Sequence, residues 1–135
     1  MGAGCYYTNT EKGTKAFWVN VEQYYEDEEG NEVFDETAFE SVKDQIEDSL
    51  MKIGYEVCSV GNETFISNGL FEIFLESTYN GDGIVVRLEP VDFESPLYNL
   101  SMANHDRSYQ RIIKHFKEEG YSMSIATSGY TSCKL

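Results

Sequence analysis

His105 and Asp106 are the neighbouring residues of this chain best suited to supply a general base and the carboxylate that orients it. On a helix, however, sequence neighbours point about 100° apart, so a histidine in a capping turn explains the pair more simply. His105 and His115, the only histidines, lie about 280° apart around a helix and do not share a face as a zinc pair would. Thr127-Ser128-Gly129-Tyr130-Thr131-Ser132 offers hydroxyls and a glycine, without a nucleophile elbow or a phosphate-binding glycine loop. Gly81 and Gly83 belong to a turn signal and do not precede a helix, so they form no nucleotide fingerprint. With Gly30 at the sixth position of a calcium loop, Asp27, Glu29 and Glu36 fit, but Tyr25 takes the place of the first carboxylate. The reading is therefore non-enzymatic, with no cofactor and no metal.

The thiols add no chemistry. Cys5, Cys58 and Cys133 are an odd number, without a C-x-x-C pair, which reads as reduced cysteines in a cytoplasmic protein. A bridge between Cys5 and Cys133 has no support in the sequence. Met1-Gly2-Ala3-Gly4-Cys5 lacks the apolar run of a lipoprotein signal, and Tyr6 stands where myristoylation needs Ser or Thr.

What is distinctive is where the charge sits. The formal net charge is −14. Between Glu22 and Asp48 stand twelve acids and one base, Lys43, whereas from Asn104 onward five bases face three acids. Clustered like charges cost a few tenths of a kcal/mol per i,i+4 pair, so their concentration calls for a reason beyond stability.

The elements that would position these acids follow from periodicity. Thr37-Ala38-Phe39-Glu40 reads as a capping box opening a helix that runs to about Ile53 and stops at Gly54. Phe39, Val42, Ile46, Leu50 and Ile53 form its apolar stripe. Glu36, Glu40, Asp44, Glu47 and Asp48 fall on another face, at about one charge per 3.6 Å of axis. One strand of duplex DNA carries a phosphate about every 3.4 Å. Met51 lies inside this acidic face, where core packing does not explain it. The run Glu26-Asp27-Glu28-Glu29, with Tyr24 and Tyr25 beside it, adds charge next to aromatic anchors.

A second helix is expected from His105 to Glu119, capped by Asn104 and closed by Gly120, with Tyr109, Ile112, Ile113 and Phe116 inward. Arg107, Arg111, Lys114 and Lys117 lie opposite that stripe. They read as a solvated basic face, a phosphate cradle, or a counterpart for the acidic helix of a second copy. Strand signals cover Thr14 to Val21, with Tyr24-Tyr25 continuing it, then Glu32 to Phe34, Tyr55 to Val60, Thr64 to Ile66, Leu70 to Glu76, Ile84 to Val91 and Tyr121 to Ala126. Asn80-Gly81-Asp82-Gly83 is a hairpin tip. Val85, Arg87 and Glu89 alternate with apolar neighbours, so one face of that hairpin is expected to be wet. Thr127 to Leu135 reads as a polar tail. Helix, Gly, Tyr, strand recurs at Gly54-Tyr55 and Gly120-Tyr121, an echo that a duplication would explain.

These elements predict one α+β domain over residues 1–135: an antiparallel sheet of about five strands with two amphipathic helices on one face. Ten Tyr, eight Phe and one Trp argue against disorder, and no apolar run approaches the ~20 residues of a membrane span. Direct nucleic-acid binding is opposed by charge. The leading expectation is an inhibitor from a phage or mobile element, whose acidic face imitates nucleic acid. It would fill a basic groove of a host nucleic-acid-binding protein, through Tyr24, Tyr25, Glu26–Glu29, the helix carboxylates and Met51. The competing expectation is a small-molecule or nucleotide-ligand binder using Arg107, Arg111 and Lys114.

Overall fold

The computed structural model describes residues 5–8, 15–78, 82–125 and 130–134. In chain order the elements are β1 (Cys5–Thr8), β2 (Lys15–Asn20), β3 (Tyr24–Glu26), β4 (Glu32–Phe34), α1 (Ala38–Met51), β5 (Glu56–Val60), β6 (Glu63–Ser67), β7 (Phe71–Thr78), β8 (Gly83–Pro90), α2 (Tyr98–Glu118), β9 (Met123–Ile125) and β10 (Tyr130–Lys134). The class is α+β, with two helices and an antiparallel sheet. Six strands follow the order β1-β10-β7-β8-β2-β9, and β6 joins β7 with β5 outside it. β7 therefore splits one edge between two partners, Ile73 pairing with Ile66 of β6 and Ser77 with Cys133 of β10. β3 and β4 form a separate hairpin.

The core grows from the period-2 pattern of the central strands. Phe17 and Val19 of β2 lie opposite Val86 and Ile84 of β8, and Leu88 lies opposite Ile73. These side chains join Ile46 and Leu50 of α1 and Ile112, Ile113 and Phe116 of α2 in one buried cluster. Phe116 stands edge-on to Phe17 at 5.5 Å and stacks on Tyr121 at 4.8 Å. Both helices end alike. Gly54 and Gly120 take φ of +99° and +91°, and the next amide donates back to a carbonyl five residues earlier, Tyr55 to Leu50 and Tyr121 to Phe116. That is a Schellman closure, so the Gly-Tyr echo is a shared helix exit. The strands that follow pair differently, β5 with β6 and β9 with β2.

Buried polar groups are satisfied across elements. Tyr109 Oη donates to the carbonyl of Ala16 at 2.7 Å, and Ser101 Oγ donates to that of Leu70 at 2.6 Å. Burial pushes Tyr55 and Tyr109 up to about 12, with Asp106 adding to the second and Arg111 opposing the first. In the unfolded chain these phenols ionise near 10. The stability they carry is whole below that pH and is lost as pH rises toward the folded value. Alkaline unfolding is therefore expected between about pH 10 and 12. A Tyr109→Phe variant should move the transition upward, read by circular dichroism.

Several expectations need correction. The main sheet has eight strands, not about five, and α1 leans on β5 as well as on β8. α2 begins at Tyr98, with Leu97 as its cap residue, seven residues before His105. Asn104 sits within the helix, its Nδ2 bonded to the carbonyl of Leu100. The capping box does not form: Thr37 Oγ1 donates to Asp35 Oδ1 at 2.8 Å. Tyr24 and Tyr25 start a new strand and do not extend β2. The face of β8 expected to be wet is dry at Val85, and Glu76 beside it is 2% exposed. Within the expected tail, Tyr130–Lys134 forms β10, inserted between β1 and β7. This places Cys5 and Cys133 opposite each other in register. Residues 1–4, the hairpin tip at Asn80-Gly81 and residues 126–129 and 135 lie outside the described residues.

Candidate interaction surface

The β3–β4 hairpin pairs Tyr24 with Phe34, Tyr25 with Val33 and Glu26 with Glu32. Tyr24, Tyr25 and Phe34 are 52%, 54% and 49% exposed, and the rings of Tyr24 and Phe34 meet edge-on at 5.4 Å. Glu26 and Glu32 face each other as like charges, an arrangement that costs stability across a strand pair. Asp27 has a different task from its neighbours. Its Oδ1 accepts the amides of Glu29 at 3.0 Å and Asn31 at 2.8 Å, and so builds the turn. Glu28 and Glu29 are exposed. At the hairpin base, the Asp35 amide donates to Gln23, and Asp35 Oδ1 accepts from Thr37, leading straight into α1. Glu32 and Phe34 were not among the expected contact residues; strand pairing opposite Tyr24 and Glu26 is the signal that identifies them.

Along α1, Glu40, Asp44 and Asp48 are exposed, as is Glu36 before it, and Glu47 is half-buried. Among the described residues, none of these five, nor Glu26, Glu28, Glu29 or Glu32, forms an ion pair. Crowding shows at Glu47. Burial first, then Asp44, Asp48 and Glu40, raise its carboxyl above the ordinary range against the pull of Lys43. Met51 is 47% exposed on the same helix.

On α2, Arg107, Arg111 and Lys114 are exposed, and none forms an ion pair among the described residues. His105 and Asp106 are turned to separate partners. The buried imidazole bonds through Nε2 to the carbonyl of Leu88 at 2.9 Å and stacks on Phe71, whereas Asp106 pairs with Lys15.

A polar cluster that no sequence signal marked lies where the ends of α1 and α2 meet. Buried Ser49 shares its Oγ with Tyr121 Oη at 3.0 Å and Glu119 Oε1 at 3.4 Å. Lys52 Nζ donates to Glu119 at 2.8 Å, and His115 Nε2 bonds to the carbonyl of Ser49 at 3.0 Å. An open cleft of about 340 Å³ lies beside it, lined in part by Gln45, Asp48 and Gly120; none of Arg107, Arg111 and Lys114 lines it. The Lys52 hydrogen bond holds the Glu119 carboxyl below the ordinary range, and Glu119 in turn raises Lys52. A carboxylate already loaded with donors is a weak proton acceptor. The cluster fastens two helix ends.

Compared with known families, curated proteins and solved structures, the chain matches none. Among the described residues, no helix is long and apolar enough to cross a membrane.

Proposed function

We propose that this protein is a non-enzymatic, cytoplasmic inhibitor whose acidic surface replaces nucleic-acid phosphates in the basic groove of a host nucleic-acid-binding, defence-type protein. The observation that carries this reading is the set of carboxylates on α1 and the β3–β4 hairpin that form no ion pair among the described residues, joined through Asp35 and accompanied by exposed Tyr24, Tyr25, Phe34 and Met51. Charge of one sign steers a basic partner and raises its association rate, while aromatic side chains supply the desolvated centre of the contact. Carboxylates accept hydrogen bonds from Arg forks much as phosphates do.

The test uses capture from host lysate at low and high salt, followed by competition with duplex DNA. A basic nucleic-acid-binding partner, released by salt and displaced by DNA, is the expected result. A Glu40→Lys/Asp44→Lys variant should keep its fold and lose this partner by ~100-fold or more, since reversing a charge opposed to a cation replaces attraction by repulsion. Unchanged capture by that variant would sink the reading. A thermal shift with a phosphorylated ligand, abolished by Arg107→Ala and Arg111→Ala, would instead favour the ligand-binding alternative.

A further inference from the structure

The two charged helix faces share a spacing. Glu40, Asp44 and Glu47 on α1 stand at i, i+4 and i+7, and Arg107, Arg111 and Lys114 on α2 stand at i, i+4 and i+7. Residues so spaced form one stripe along a helix. Glu47 is half-buried and the other five side chains are exposed. Among the described residues none of the six is ion-paired within its own chain. Among the described residues, the one salt bridge between the ends of the two helices runs from Lys52 to Glu119, away from both stripes.

We propose that a second copy of this chain is the partner of the α2 face, its α1 lying antiparallel along α2. In that register Glu40 meets Lys114, Asp44 meets Arg111 and Glu47 meets Arg107. One turn further, Met51 reaches Leu100 and Ala103. Met51 and Leu100 are 47% and 54% exposed, and within one chain their exposure has no packing explanation. The parallel register would match the charges equally well, but it sets Met51 against Glu118, whereas the antiparallel one sets Glu36, which precedes α1, near Glu118 and Met51 among apolar residues. Burying an apolar pair while opposing the helix dipoles favours the antiparallel choice. A two-fold axis repeats the contact, each α1 on its partner's α2, and closes the assembly at two copies. Surface ion pairs contribute little each, so the charges set register and the apolar ends and doubled contact hold it. A nucleic acid or an anionic membrane would find the same bases, but each is a polyanion facing a chain of net charge −14. A second copy brings its acids in one strip and neutralises them there.

The experiment is a charge-swap series followed by light scattering and sedimentation. The native chain should show a concentration-dependent species of twice 15.4 kDa. Glu40→Lys/Asp44→Lys and Arg107→Glu/Arg111→Glu should each weaken self-association at least ~10-fold, with circular dichroism unchanged. Mixed in equal amounts, the two variants should form a heterodimer, because each supplies the charge the other lacks. A native chain that stays at 15.4 kDa at all concentrations overturns the proposal. So does a dimer that survives either double reversal, or a mixture that does not associate. Binding of duplex DNA or phosphatidylserine vesicles lost in Arg107→Glu/Arg111→Glu would assign the face to that partner instead. The proposal does not rest on the inhibitor reading, but the two contacts compete for the α1 face: Arg107→Glu/Arg111→Glu frees that face, so capture of a host protein in that variant persists or strengthens while self-association is lost.

Discussion

An Arg87→Leu variant is expected to lose roughly 3–5 kcal/mol of stability, the cost of removing one member of a buried ion pair. Arg87 is 13% exposed at its side chain and Glu76 only 2%. Both Nε, at 3.2 Å, and Nη2, at 2.7 Å, reach the same Glu76 oxygen, and Nη1 pairs with Glu89. The guanidinium also lies over the ring of Phe74 at 4.7 Å, so the substitution removes a cation–π contact as well. Domains of this size are stable by ~5–15 kcal/mol in all, so the variant should melt far below the native chain. Glu76→Leu combined with Arg87→Leu should recover much of the loss, because two apolar side chains replace an ion pair at little net cost. Chemical denaturation of the two single variants and the double variant measures the coupling. Additive losses would mean that the pair contributes no specific interaction.

Phe116→Ala is the second large effect, at roughly 3–5 kcal/mol. Phe116 is fully buried and touches the rings of Phe17 and Tyr121. Its carbonyl also accepts the Tyr121 amide that closes α2. Truncation leaves a cavity between the helix and β2 that rigid strands cannot collapse to fill. Phe116→Leu should cost less than half as much, since most of the volume remains. The unfolding midpoint in urea, with an unchanged slope, reads the difference.

The two helices show what the sequence discloses and what it hides. α1 was legible because Phe39, Val42, Ile46, Leu50 and Ile53 make an apolar stripe and Gly54 marks its end, although buried Ser49 beside them gave no signal. The first two turns of α2 were not. Ser101 and His105 continue the buried stripe of Ile112 and Phe116, but they are polar and carry no hydropathy signal. The carbonyls of Leu70 and Leu88, distant in sequence, together with the Val91 amide, satisfy them once buried. Thr37 failed as a cap for a related reason, since Asp35 competes for its hydroxyl. The expected wet face of β8 was misread because Arg87 looks like a solvent residue until Glu76 of the next strand accepts its donors. β10 carries Tyr, Thr, Ser, Cys and Lys without apolar alternation, and its place is set by pairing with β1 and β7.

The candidate surface divides in the same way. The acids of α1 lie on one face by helical geometry alone, and this was readable. Phe34 and Glu32 join Tyr24 and Glu26 only through the hairpin register. The Ser49–His115–Glu119 cluster joins residues up to 70 positions apart, and no local pattern announces it.

The separateness of the β3–β4 hairpin has a kinetic consequence. Three residue pairs, with no neighbouring strand on either side among the described residues, make a ladder that is marginal by itself. Its amides should exchange with solvent through local opening, orders of magnitude faster than those of β8 in the centre of the main sheet. A partner that clamps Tyr24 and Phe34 would slow that exchange there first, so deuterium uptake at the hairpin would register docking even when the melting temperature does not move.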